Sequence, residues 1–395
     1  MEVKSLSNIL EHMARVIQDA SMVLSKTREE TGCKMIGIFH PVVPEELIYA
    51  AGLHPVRLFP YVDDFITEGD AHLQTYLCSN VRAVWDQVIK GKYPYLDGAI
   101  IPRSCEAVTF LYQIWKRHNP YPFIDYINVP WKRSENAIDF FAKELGRIKN
   151  DLEGFTEKKI SEDSLHNAIR VYNRNRGLLR KVCELRKAES PIISSTEAFK
   201  VVMSSFILDR EEHSGLMEQL LTELSKRSRG PRANVRLLIT GGCVIDARLW
   251  EMIEDSGACI VADDVNNGSR SVFNAVNDTT EGPLKSLARR YVMVPCSFNT
   301  SNADRFRYIS EMIIENNVNG IIFAINRNCE SEKFDYPNLD EKIKEKFNVP
   351  ILNIETDYLT NMAPLRTRVE AFVEMLSAKG GWKDDREEKR GTSGI

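Results

Sequence analysis

Several absences narrow the reading of this 395-residue chain. No stretch reaches the roughly 18 consecutive apolar residues that a membrane-spanning helix needs. The first twenty residues, MEVKSLSNILEHMARVIQDA, alternate charged and apolar side chains and lack the apolar core of a signal peptide. There is no excess of positive charge: 52 Lys and Arg stand against 56 Asp and Glu, for a net charge of −4. The basic residues are mixed with acidic ones, which reads as a solvated surface rather than a nucleic-acid or membrane face. The eight cysteines include no Cys-x-x-Cys pair, so zinc ribbons and thioredoxin-like chemistry lack their usual signature. Without an export signal and with enough chain to build a core, disulfide stapling is not expected either. A cytoplasmic protein with no nucleic acid and no membrane as partner is the expectation.

What is present is an ordinary globular composition, 43% hydrophobic and 27% charged, long enough for two or three domains at roughly 150 residues each. Residues 1–30 read as an amphipathic helix. Strand-like runs follow at Lys34–Phe39, Pro55–Phe59, Asp97–Ile101 and Phe123–Val129. Helical stretches alternate with them, one starting near Pro44 with Glu45 and Glu46 at its N-terminus and Gly52 at its end. Alternation of this kind indicates a parallel α/β sheet. From about Ser134 to Ser228 the chain is charged, periodic and nearly free of strand signals, with Ser161 as a helix cap. SKRSRGPRAN reads as a linker. A second α/β unit follows, with strands expected at Val235–Thr240, Ala258–Asp263, Tyr291–Pro295, Gly320–Ile325 and Pro350–Glu355. The expected organisation is an N-terminal helix with a first Rossmann-like domain at 1–133, a helical segment at 134–232, a second Rossmann-like domain at 233–378, and a polar, disordered tail at 379–395.

Open α/β sheets bind ligands outside the carboxyl ends of their strands, and several cysteines fall there. Cys105 follows the Asp97–Ile101 strand and Cys329 follows Gly320–Ile325, at similar places in the two units. Cys78 opens a helix in TYLCSNVR, where a helix N-terminus favours a thiolate. Each is equally readable as a small buried hydrophobe, and spacing alone does not choose among the eight. Cys243 and Cys296 also follow strand ends, to line the same cleft, add ligands or pack. Cys33, Cys183 and Cys259 are assigned to packing. His40 ends the first strand and is a candidate general acid or base, a cluster neighbour, a substrate hydrogen-bond donor or a structural histidine. Gly241-Gly242 could admit a phosphate, but without the full G-x-G-x-x-G fingerprint a tight turn is the better reading.

Three segments resemble the 2-hydroxyacyl-CoA dehydratase and benzoyl-CoA reductase subunits: PEELIYAAGLHPVRL, YLCSNVRAVWDQVIKGKYPYLDGAIIPRSCEAV, and RNCESEKFDYPNL with VPILNIETDY. The resemblance covers most of the chain. It implies two Rossmann-like domains with a [4Fe-4S] cluster between them, held by Cys78, Cys105 and Cys329. It further implies an acyl-CoA substrate, a related second subunit in a heterodimer, and a separate ATP-hydrolysing iron–sulfur activator that delivers one electron. In the dehydratases that electron makes a ketyl radical from a (R)-2-hydroxyacyl-CoA thioester, the 2-hydroxyl leaves, a proton is lost from carbon 3, and the electron returns. In the reductases electrons and protons reduce an aromatic ring instead. Glu106 stands where the family often has Asp after the second cysteine. A double-cubane branch needs further cysteines, yet this chain has His40 and Phe298 at two of the places. The expected function is the dehydratase subunit; the alternatives are a ring reductase, a double-cubane reductase or a non-catalytic partner.

Overall fold

The computed structural model describes residues 5–61, 65–228, 230, 234–272, 274–277, 280–357 and 361–378. Eight strands among the described residues form two four-stranded parallel sheets. The first contains β1 (Met35–Ile38), β2 (His54–Arg57), β3 (Leu96–Arg103) and β4 (Phe123–Asn128), in the order β2-β1-β3-β4. The second contains β5 (Val235–Gly241), β6 (Ala258–Asp264), β7 (Gly320–Asn326) and β8 (Ile351–Thr356), in the order β6-β5-β7-β8. The two orders are the same, so β3 and β7 hold equivalent places. The inner strands β1, β3, β5 and β7 are mostly apolar and buried along nearly their whole length, as parallel strands covered by helices must be. The α/β architecture with two Rossmann-like sheets is therefore the one expected.

Two local expectations change. Residues 6–31 form two helices, Leu6–Gln18 and Ala20–Thr31, that meet at Asp19; a short acidic side chain that competes for backbone hydrogen bonds is a poor helix-interior residue. The strand expected at Tyr291–Pro295 does not form. Tyr291 and Val292 end the helix Pro283–Val292, which starts with Pro283 in its first turn. Leu287, Ala288, Tyr291 and Val292 lie on one buried face at helical spacing. A short apolar run has no period of its own to separate strand from buried helix, and here packing against the helix Glu135–Thr156 decides it.

Four helices join the two sheets: Glu135–Thr156, Glu162–Leu185, Ser195–Ser204 and Arg210–Leu224. Each begins at a side-chain cap, Ser134, Ser161, Ser194 or Asp209, and Ser194 forms a capping box with Glu197. They do not stand apart from the sheets. One apolar core runs from Ile9 through Val202 to Ile322, and a second joins Ile36 and Phe141 to Tyr291. Buried ion pairs cross the same junctions: Arg176 meets Glu46 at 2.5 Å, Arg210 meets Glu45, and Arg186 meets Asp263. The tail at 379–395 and part of the linker lie outside the described residues. No helix among the described residues is long and apolar enough to cross a membrane.

Candidate functional site

Three cysteines arrive at one cavity from three separate loops. Cys105 caps the helix Glu106–His118 just beyond β3, and Cys329 caps the helix Glu330–Phe347 just beyond β7. Cys78 caps the helix Ser79–Ile89. The loop carrying Cys78 is tied to the second sheet by its backbone: Ser79 N–H donates to the Arg327 carbonyl at 3.4 Å, and Asn328 Nδ2 donates to the Thr75 carbonyl at 3.0 Å. Asn328 takes a left-handed backbone, φ 62°, which turns the chain into Cys329. The matched sheets thus supply Cys105 and Cys329, and a cross-sheet clasp brings Cys78 to them. All three line a cavity of about 90 Å³ and are half-buried.

The thiols sense one another. Burial pushes the Cys105 thiol up to about 11, with Cys78 adding to the rise. Burial also raises Cys329 well above the ordinary range, with Cys78, Glu332 and Cys105 contributing, and it raises Cys78. Backbone N–H groups at the three helix starts pull the other way. Arg82 lowers Cys78, but burial outweighs it and the three stay neutral thiols. A metal bound there would supply positive charge and favour their deprotonated form.

The cavity wall continues with His40, Arg57, Cys243, Asn266, Cys296 and Glu332. His40 follows β1 and reaches the second half of the chain: Nε2 lies 3.6 Å from Cys296 Sγ, and its ring meets Phe298 edge-on at 5.2 Å between centroids. Burial, helped by Arg57 and Arg270, lowers its basicity well below the usual histidine range, so it is neutral at physiological pH. Glu332 is pushed the opposite way by burial, despite Arg270 and Arg305. Five wall residues carry buried polar atoms without hydrogen-bond partners: His40 Nδ1, Arg57 Nε, Asn80 Oδ1, Ser104 Oγ and Glu332 Oε2. A cavity with this lining is built for an occupant with polar atoms of its own.

Gly241-Gly242 is a tight turn. A Cβ on Gly241, at φ 129°, would sit 2.1 Å from the Ala324 carbonyl, and one on Gly242 would sit 2.2 Å from Asn326 Oδ1. Asn326 fills the turn, accepting from Cys243 N–H at 2.7 Å and donating to the Cys243 carbonyl at 2.8 Å. The Cys243 amide is therefore spent on Asn326 rather than on a phosphate. Cys183 and Cys259 are buried, while Cys33 is half-buried against the carbonyls of Gly52 and Lys34.

Residues 41–376 match the family described as 2-hydroxyglutaryl-CoA dehydratase, D-component. The chain belongs to this family. It is 28% identical to the (R)-phenyllactyl-CoA dehydratase beta subunit of Clostridium sporogenes, over 91% of this chain and 96% of that one. It is 27% identical to the beta subunit of lactoyl-CoA dehydratase of Anaerotignum propionicum, over 93% and 98%. A benzoyl-CoA reductase subunit of Thauera aromatica is 26% identical, over 94% and 99%. The family resemblance read from the sequence is thus the one found.

Among the described residues, no three His, Cys, Asp or Glu side chains converge closely enough to share one metal ion. A cubane asks for something different, because each cysteine binds a different iron. Three thiols spread over one cavity wall, each at a helix N-terminus, fit that demand. Sequence reasoning missed Arg57, Asn266, Asn326 and Glu332 at this wall. For Arg57 a signal existed: a charge within the apolar run PVRLF, at the carboxyl end of a strand buried throughout.

Proposed function

We propose that this chain is the [4Fe-4S] subunit of a cytoplasmic 2-hydroxyacyl-CoA dehydratase, which removes water from a (R)-2-hydroxyacyl-CoA. The observation that carries the reading is the meeting of Cys78, Cys105 and Cys329 on one cavity between two matched sheets, in a chain of this family. Bound there, the cluster supplies one-electron chemistry to the thioester. The protein's own part is different. The three cysteines would hold the cluster by their thiolates. Phe39, Phe59 and Phe298 line the cavity and exclude water from the acyl chain. His40, neutral, can accept or donate a hydrogen bond at Nδ1, and Glu332 Oε2 offers a place to receive a proton. An open cleft of about 700 Å³ adjoins the cavity and shares Cys105, Glu106 and Phe298 with it. That cleft suits the remainder of an acyl-CoA. Trp131 and Phe334, 65% and 82% exposed, flank it and suit a second subunit that covers them. Relatives named as beta subunits support such a heterodimer. An ATP-hydrolysing iron–sulfur activator completes the proposed system.

A ring reductase is the second reading, favoured by the benzoyl-CoA reductase relative and by the aromatic wall. Anaerobic assay with activator, second subunit and a panel of thioesters separates the two, by water loss or by ring reduction. The cluster is tested without turnover. Anaerobic reconstitution should give about four irons per chain and broad visible absorption. Ala at Cys78, Cys105 or Cys329 should abolish retention, and Cys183→Ala should not. Equal iron loss from all four variants, or a reconstituted wild type without iron, would overturn the assignment.

A further inference from the structure

A second, smaller cavity lies behind the wall of the first and shares Arg57 with it. It measures about 20 Å³. A single water needs roughly 10–15 Å³ of such space, so one particle of about that size fits and a polyatomic acid does not. Every residue that lines it is buried except Ser271, which is half-buried. Arg57 reaches it from the end of β2, Tyr172 and Arg176 from the helix Glu162–Leu185, Arg210 from the start of Arg210–Leu224, and Arg290 from Pro283–Val292. The first sheet, the joining helices and the second half of the chain meet here.

The charges at this junction do not balance. Glu45 is the one acid on the wall, and it is committed to Arg210. Glu46, just behind, takes Arg176 at 2.5 Å and the Tyr291 hydroxyl at 2.6 Å. Arg290 donates to two neutral carbonyls, Asn274 at 3.0 Å and Ser271 at 2.8 Å. Burial and Arg176 pull it down to about 10, which still leaves it charged at neutral pH. Arg57 makes no side-chain hydrogen bond or ion pair among the described residues and only faces the rings of Phe206 and Phe59, at 5.2 and 5.7 Å from their centroids. Four guanidiniums thus stand against two carboxylates. Arg57 Nε and the Tyr172 hydroxyl are moreover without hydrogen-bond partners, on side chains more than nine-tenths buried.

Buried cations in surplus are costly unless an anion joins them. Guanidiniums only donate, and the hydroxyl has a hydrogen to give. A water would bring hydrogens of its own and no charge. A halide ion brings a full negative charge, only accepts, and is little larger than a water. We propose that this cavity is a halide site, holding one chloride ion among Arg57, Arg176, Arg210, Arg290 and the Tyr172 hydroxyl, and that the ion clamps β2 to the helices around it. The site is independent of which thioester the larger cavity takes.

The test uses the full chain, reconstituted without oxygen, and follows thermal unfolding as chloride or bromide replaces gluconate at constant ionic strength. Wild type should melt higher as halide rises and then saturate, gaining about 3 °C at about a hundredfold excess over the half-saturating concentration. Tyr172→Phe keeps the ring, and losing the hydroxyl should weaken halide affinity about fivefold. Arg57→Gln should abolish the dependence at unchanged iron content. The two variants also cancel any general salt effect, and Tyr172→Phe carries the test if Arg57→Gln does not fold. Crystals grown with bromide should give an anomalous peak among the four arginines. A melting temperature that ignores the exchange, a rise equally large in wild type and Tyr172→Phe at every concentration, or a cavity with water and no bromide overturns the site.

Discussion

Asp264 is the anion on which the second sheet's interior rests, and its neutralisation should be severe. It ends β6 and is fully buried with two arginines that are also fully buried. Arg270 Nε donates to Oδ1 at 2.7 Å and Arg270 Nη2 to Oδ2 at 3.0 Å. Arg305 Nη1 donates to Oδ2 at 2.7 Å, and the Thr240 hydroxyl to the same oxygen at 2.8 Å. In Asp264→Asn, Arg305 keeps Asp335 at 3.0 Å, but Arg270 is left with the neutral Asn266 Oδ1 at 2.8 Å and, as its one remaining acid, Glu332 at 3.5 Å, a carboxyl that burial pushes toward its protonated form. The new amide also turns a donor toward guanidinium donors. Breaking a buried pair by removing one charge costs about 3–5 kcal/mol, and that loss is expected in urea unfolding followed by circular dichroism. Arg174→Ala, which breaks the half-exposed pair with Glu218, should cost about 1 kcal/mol or less. The pH dependence has a definite sign. Burial raises the Asp264 carboxyl, but Arg270 and Arg305 outweigh it and hold it below its ordinary value. Its contribution is therefore complete above the unfolded value near 3.9 and fades as pH falls through the lower folded value. The gap between wild type and variant should be constant from about pH 5 to 7 and shrink below about pH 4. A loss of about 1 kcal/mol or less at pH 7 would refute the reasoning, because it would mean that the arginines do not need this charge.

Two further outcomes follow from buried groups and tight turns. Burial and Arg210 lower His213 to about 3, so the unfolded chain takes up its proton first. Stability is intact above about pH 6.5 and falls by about 1.4 kcal/mol per pH unit below it for this residue. His213→Gln should make the acid limb shallower by that slope in unfolding titrations from pH 7 to 4, and an unchanged slope would remove His213 from the account. Gly241→Ala places a side chain at φ 129° and within 2.1 Å of the Ala324 carbonyl. Backbone strain alone costs about 1–3 kcal/mol, so the melting temperature should drop clearly, and an unchanged value would show that the turn can relax.

The alternation of strand and helix was legible because parallel strands and their crossover helices differ in period and in turn residues. All the expected strands but one formed, and the helix starts at Ser161 and beyond Pro44 fell where capping chemistry put them. The exception, Tyr291–Pro295, failed for a physical reason: so short an apolar run carries no period, and the neighbour that buries it decides its form. The cysteines show a sharper limit. Chain order alone put Cys105, Cys329, Cys243 and Cys296 at expected strand ends and Cys78 at a helix start, and only the resemblance chose Cys78, Cys105 and Cys329 among the eight. That the three share one cavity depended on two sheets having the same order and on the clasp of Ser79 and Asn328 across them.

By itself, the sequence determined the α/β class, the two repeated sheets and the family, because hydrophobic period, caps and local motifs are properties of neighbouring residues. Only the tertiary structure decided which charges are paired. Arg57, Arg210, Arg176 and Arg270 are the same residue type in different surroundings. Glu45, which answers Arg210, lies 165 residues away in the chain, and Glu46 beside it answers Arg176. Arg270 finds Asp264 at the end of β6, whereas Arg57 is left facing the cavity. Electrostatic need follows distance in space and burial, which no local pattern carries.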